Sequence, residues 1–152
     1  MAGLKDYKPL RLMASDGDDL SVISACLQDG VAKLGDFAYL PEQRRFAFVI
    51  NRFVWEVAGN RRAGPFVRVR AGVHFDDVLS VQQQYLKADA NDAVVNLLAV
   101  RFEPGEEGGG DILFDFAGGG VIRLVVESVN AFVSDISEPW RTRNRPEHDI
   151  EN

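Results

Sequence analysis

Residues 110–129, GDILFDFAGGGVIRLVVESV, alternate apolar and polar side chains with the period of two that defines a half-buried β-strand, and they do so twice. Ile112, Phe114 and Phe116 share one face of the first strand, and Ile122, Leu124 and Val126 resume that face in the second. A three-residue loop at Gly118, Gly119 and Gly120 sets Phe116 opposite Ile122, Phe114 opposite Leu124 and Ile112 opposite Val126. The same register puts Asp115 opposite Arg123 on the outer face, a favourable cross-strand pair. A two-residue loop would set Phe114 against Arg123 and mix the faces. The chain therefore builds antiparallel sheet, and this hairpin carries no catalytic signal.

The remaining chain follows the same pattern after one helix. Residues 9–14 (PLRLMA) alternate as a short first strand. Ser15 offers an N-cap, and Asp16, Asp18 and Asp19 crowd the first turn, where acids suit the helix dipole. Leu20, Ile23 and Leu27 then recur at helical spacing, and Gly30 is placed to end an amphipathic helix over residues 16–29. Strands are expected at 31–40, 45–57, 67–75, 78–86, 94–102 and 131–136, with a turn at Pro41-Glu42-Gln43. In the 45–57 strand, Phe46, Phe48 and Ile50 lie on one face but Phe53, Trp55 and Val57 on the other, so a bulge near Asn51-Arg52 is expected. VRVRAGVHFDDVLSV (67–81) and VIRLVVESVNAFVSD (121–135) form a faint internal echo of strand, brief turn and strand. The fold expected is α+β and mainly antiparallel β, barrel-like or two packed sheets of about seven or eight strands. One N-terminal amphipathic helix covers an end. A single domain fills 1–152, with a folded core over 8–137 and a charged, frayed tail over 138–152.

Charge is spread unevenly. The chain carries a net −6 over its 152 residues, yet residues 44–70 hold Arg44, Arg45, Arg52, Arg61, Arg62, Arg68 and Arg70 against the single acid Glu56. That segment is +6, which leaves −12 for the remainder. Arg68 and Arg70 project from one face of the 67–75 strand, and Arg61 and Arg62 occupy the loop before it. The overall negative charge argues against nucleic acid and anionic membranes as partners. Cys26 is the single cysteine, so no intrachain disulfide forms and a reducing, cytoplasmic setting follows most simply. The N-terminal residues show no apolar signal-peptide core, and the longest apolar stretch, 93–100, is far too short to span a bilayer.

Catalytic and metal-binding patterns are missing from the sequence. There is no G-x-S-x-G elbow and no C-x-x-C. Cys26 falls on the apolar side of the helix and reads as a small buried hydrophobe. His74 and His148 are the two histidines; His74 and Asp76 fall on one strand face, and two ligands do not make a metal site. Both glycine triplets, 108–110 and 118–120, precede strand pattern rather than the helix a phosphate loop needs. The paired acids Asp18-Asp19 and Asp76-Asp77 are neighbours whose side chains diverge. No catalytic residue, cofactor or metal is assigned.

Three pieces, the run from LRLMASDGDDL to FVINRFVWE, the segment LLAVRFEPGEEGGGDILFDFAGGGVIRL and the late EPW-R, together resemble a proteobacterial family known as domain of unknown function 2948. The resemblance spans residues 8–146 and implies a single-domain bacterial cytosolic protein. It implies no activity, cofactor or catalytic residue.

The function expected is a small non-enzymatic binding or adaptor module. Its arginine-rich face, Arg52, Arg61, Arg62, Arg68 and Arg70, docks an acidic protein or a small anion. The alternative is a small-ligand binder or enzyme with a pocket inside the barrel. A homodimer through a strand edge is a further expectation, because so many strands leave edges needing protection.

Overall fold

The alternating segments find one another in a single antiparallel sheet. In the computed structural model, which describes residues 4–59, 64, 66–86 and 90–146, it has eleven strands. They are β1 (Arg11–Ala14), β2 (Val31–Lys33), β3 (Ala38–Leu40), β4 (Arg45–Phe53), β5 (Phe66–Phe75), β6 (Val78–Gln84), β7 (Val94–Pro104), β8 (Gly110–Phe116), β9 (Val121–Val126), β10 (Ala131–Asp135) and β11 (Trp140–Thr142). The path runs β1-β10-β5-β4-β2-β7-β8-β9-β6, with β3 beside β4 and β11 beside β5. The mainly antiparallel α+β class is as expected, but the sheet is not closed. β1 and β6 end the path without pairing to each other. The sheet instead curls until Phe46 and Phe48 of β4 and Phe75 of β5 meet Phe114 of β8 across the interior, at ring centroid separations of 5.3–5.8 Å. These edge-on and tilted rings fill the centre.

Two features raise the strand number. The single strand expected over 31–40 is broken by a 3-10 turn at Leu34–Asp36. Part of the 138–152 tail expected to fray instead supplies β11, where Trp140, Arg141 and Thr142 pair with Arg68, Val67 and Phe66, while residues 147–152 lie outside the described residues. A third difference lies in β4, which runs without a bulge as far as Phe53, paired to Arg68. Trp55–Ala58 then turns as a single helical turn, α2, rather than extending the strand.

The N-terminal helix, α1 (Gly17–Leu27), packs Leu20, Ile23 and Leu27 into the main core against β1, β4 and β7. Its cap is Asp16, not Ser15: the Asp16 carboxylate accepts from Asp19 N–H at 2.8 Å, and the Asp19 carboxylate accepts from Ser15 N–H. The left-handed residue after the helix is Asp29 (φ 63°) rather than Gly30. Among the described residues no helix is long and apolar enough to cross a membrane.

The β8–β9 hairpin has the expected loop length at a different place. Phe116 N–H donates to Gly120 O and Gly119 N–H to Phe116 O, so Ala117, Gly118 and Gly119 form the loop. Gly118 and Gly119 take φ of +88° and +95°, angles that glycine adopts without a Cβ penalty. Gly120 belongs to the packing: a Cβ there would lie 2.4 Å from Leu86 Cδ2. The register therefore moves by two residues, to Phe114↔Ile122 and Ile112↔Leu124. A shift of two preserves the faces but changes the ion pairs. Arg123 bonds Asp111, Asp115 turns to Arg101 of β7, and the arginine stems cover Leu113 between them.

The internal echo has a structural counterpart. β5–β6 and β9–β10 are two arches, each crossing from one half of the sheet to the other, and they interlock as β5–β10 and β6–β9. Their corners are tied by Asp76 N–H to Asn130 O, Glu127 N–H to Asp77 O, and the Asp77 carboxylate accepting from Ser128 and Asn130.

Candidate functional site

The break in the 31–40 segment makes a surface cleft. β2 meets β4 at one position, Val31↔Asn51, and β3 rejoins it at Ala38↔Ala47. Between them Leu34–Asp36 lifts away, held by Leu34 N–H to Ala93 O and Gly35 N–H to Asn91 O. Phe37 then returns to stack on Phe48 at 4.7 Å. Among the described residues, 48–50 of β4 are thus left without a strand neighbour on that side. A cavity of about 310 Å³ opens there, bordered by Val31, Ala32, Lys33, Asp36, Val49, Ile50, Asn51, Arg70 and Val94. Lys33 and Arg70 are exposed, and the Arg70 guanidinium stands 3.7 Å from Asp36. Two cations beside a strand edge carrying N–H donors can hold a carboxylate or a similar oxyanion.

Of the five arginines expected to dock a partner, the three among the described residues, Arg52, Arg68 and Arg70, do not form one patch. Arg70 lines the cleft. Arg68 lies half-buried over the Phe53 ring at 5.6 Å and donates to the carbonyl oxygens of Asn51 (3.0 Å) and Asp29 (3.4 Å). Burial pulls its pKa down, countered by Asp29; it pins the α1–β4–β5 junction. Arg61 and Arg62 lie outside the described residues.

Arg52 is a correction to the sequence reading, because it is 0% exposed. With no bulge in β4, Arg52 keeps the inward parity of Phe46, Phe48 and Ile50. Its guanidinium forms a two-pronged pair with Asp135 and another with Glu56. The Tyr7 hydroxyl (2.7 Å) and Leu10 N–H (2.8 Å) also donate to Asp135. Burial alone would raise the Asp135 pKa, but the bonds from Arg52, Tyr7 and Leu10 hold it below its ordinary value. Burial and the bond to Asp135 push the Tyr7 phenol upward. The network closes one end of the interior, with Arg52 and Asp135 shut off from solvent and Glu56 partly exposed.

Other groups are arranged structurally. His74 stacks on Phe132 at 5.4 Å, with its Nε2 3.7 Å from Asp76. Asp76 is taken by Arg45 at 2.7 and 3.2 Å. Burial, and then Arg45, lower the His74 pKa. Burial, and then Glu56, raise that of the half-buried Cys26, which keeps the thiol protonated. Among the described residues no group of three His, Cys, Asp or Glu side chains converges on a metal-sized space. Another cavity, of about 230 Å³, lies between β6 and β3 and is lined by Leu34, Phe37, Tyr39, Phe46, Val81 and Gln83, among others.

The model of one family, described as a protein of unknown function (DUF2948), matches residues 10–148. The chain belongs to this family. No curated protein and no solved structure matches it. The DUF2948 match covers β1 through β11, and so includes the cleft, both arches and the Arg52, Glu56 and Asp135 side chains of the buried network, but not Tyr7.

Lys33, Asp36 and Asn51 escaped the sequence reading. A signal for them existed: Lys33-Leu34-Gly35-Asp36 interrupts an apolar run with a Gly-Asp pair, a turn signature. Splitting the expected strand there would have exposed a sheet gap beside Arg70.

Proposed function

We propose that this DUF2948 protein is a non-enzymatic binding module that takes a carboxylate or similar oxyanion, borne by an acidic protein segment or a small acid, in the cleft between β2 and β4. The observation that supports this reading is the sheet gap over residues 48–50, where Lys33 and Arg70 flank an open strand edge. Recognition is local, because the net charge of −6 opposes long-range attraction of an acid. An extended acidic segment can pair its backbone with β4 while a carboxylate reaches Arg70. The interior is packed with phenylalanine rings, so the surface cleft suits this role better than a site inside the sheet. The setting we propose is the bacterial cytoplasm, which suits a lone, protonated, half-buried Cys26.

The test is calorimetric titration with a glutamate-rich peptide and, separately, with citrate. Replacing Lys33 and Arg70 together by Ser should weaken binding about tenfold or more, since a hydrogen bond to a charged group contributes about 1.5–3 kcal/mol. Arg101→Ser, on the distant β7 surface, should leave binding unchanged. Equal binding by the double variant and the native chain would overturn the reading.

A further inference from the structure

The geometry points to a second interaction surface, independent of the cleft: the open edge of β6 pairs antiparallel with the same edge of a second copy of this chain. β6 ends the strand path, and β9 is its strand neighbour. Its first residue is tied down, because Val78 N–H donates to Arg44 O and the Tyr39 hydroxyl donates to Val78 O. Among the described residues no hydrogen bond outside the β6–β9 ladder meets the backbone of residues 79–84.

The other strands with one neighbour are guarded. β1 has four residues, follows Pro9 and carries Arg11; β3 has three and runs into Pro41; β11 has three, follows Pro139 and carries Arg141. Short length, proline and charge are the devices by which edges avoid pairing. β6 uses none of these three; its one bulge sits at Leu79, beside the tied-down Val78, and the strand runs regularly from Ser80 to Gln84. It is seven residues long, and residues 78–86, VLSVQQQYL, contain neither a charge nor a proline.

A second copy is the occupant that this edge fits. Antiparallel pairing about a two-fold axis at Gln82 brings no like charges together, and each Gln82 amide both donates and accepts. In that register Ser80 faces the partner's Gln84 and Val81 the partner's Gln83, within the regular stretch of β6 from Ser80 to Gln84. Arg123, opposite Gln82 on β9, is committed to Asp111 and Glu103, so it leaves the surface electrically quiet.

Sedimentation velocity and light scattering on the full chain should give twice the 16.8 kDa chain mass. Gln82→Lys sets two ammonium groups face to face and should weaken dimerisation about tenfold or more while circular dichroism is unchanged. As an independent readout, Gln82→Cys in a Cys26→Ser background should form an interchain disulfide under mild oxidation. Met13→Cys on the β1 edge, in the same background, should not. A native chain that stays monomeric at high concentration would overturn the inference. So would a dimer indifferent to Gln82→Lys, or crosslinking as rapid at Met13 as at Gln82.

Discussion

Arg52 and Asp135 meet across the closed end of the interior, Nε to Oδ1 and Nη2 to Oδ2 each at 2.8 Å, with both side chains shut off from water. A strand arginine that parity turns inward must carry its own counter-charge, and residues 83 positions apart supply it. The pair joins β4 to β10, and through Tyr7 and Leu10 it fastens the N-terminal segment to the sheet.

Breaking this pair from one side should be costly. Asp135→Ala leaves a buried guanidinium with Glu56 as its remaining acid and is expected to lower unfolding free energy by about 3–5 kcal/mol. Arg101→Ser removes an exposed pair with Asp115 and should change stability by about 1 kcal/mol or less. Urea unfolding of the two variants beside the native chain measures both.

The same network sets an acid limit. Because the folded-state value of Asp135 is depressed, its contribution is fully present above the ordinary carboxylate value of about 4 and is lost as pH falls through the folded value. Unfolding free energy measured from neutral pH down to about pH 3 should fall steeply below about pH 4. Asp135→Asn should start lower and show a shallower fall; parallel curves for the two proteins would show that Asp135 is not the titrating group.

How much of this was legible follows from which interactions are local. The faces of β8 and β9 were readable, because alternation alone assigns them; the register was not, because Gly120 is required by Leu86 rather than by the turn. α1 was readable from its spacing, and its cap was displaced by one residue. The inward course of Arg52 depends on Asp135, whose proximity no local pattern announces. The cleft was hidden for a similar reason. The 31–40 run looks like a strand until the 90–93 segment is seen to hold Leu34 and Gly35.

His74 titrates in the opposite sense from an ion-paired histidine. Burial and Arg45 hold its folded value below 6.5, so the unfolded chain binds the proton more readily, and stability falls as pH drops through about 6.5. Carbon-bound imidazole proton shifts followed by NMR, with His148→Gln to assign the two rings, should show His74 titrating below 6.5. A midpoint above that value would mean that Asp76 outweighs burial and Arg45.

Gly35 connects the local break to the proposed site. A Cβ at this position would lie 2.9 Å from both Cβ and the carbonyl oxygen of Asn91, against backbone that holds the turn in place. Gly35→Ala should therefore push the 34–36 turn away from residues 90–93 and cost about 1–3 kcal/mol, the range for overpacking a tight contact. Amide chemical-shift changes should concentrate at 31–37 and 90–94 and leave the β8–β9 hairpin untouched. Because the turn defines one wall of the cleft, binding of the glutamate-rich peptide should weaken in this variant although Lys33 and Arg70 are both retained. Weakened binding with an unaltered hairpin would show that the cleft is built by the break in the strand as much as by its two cations.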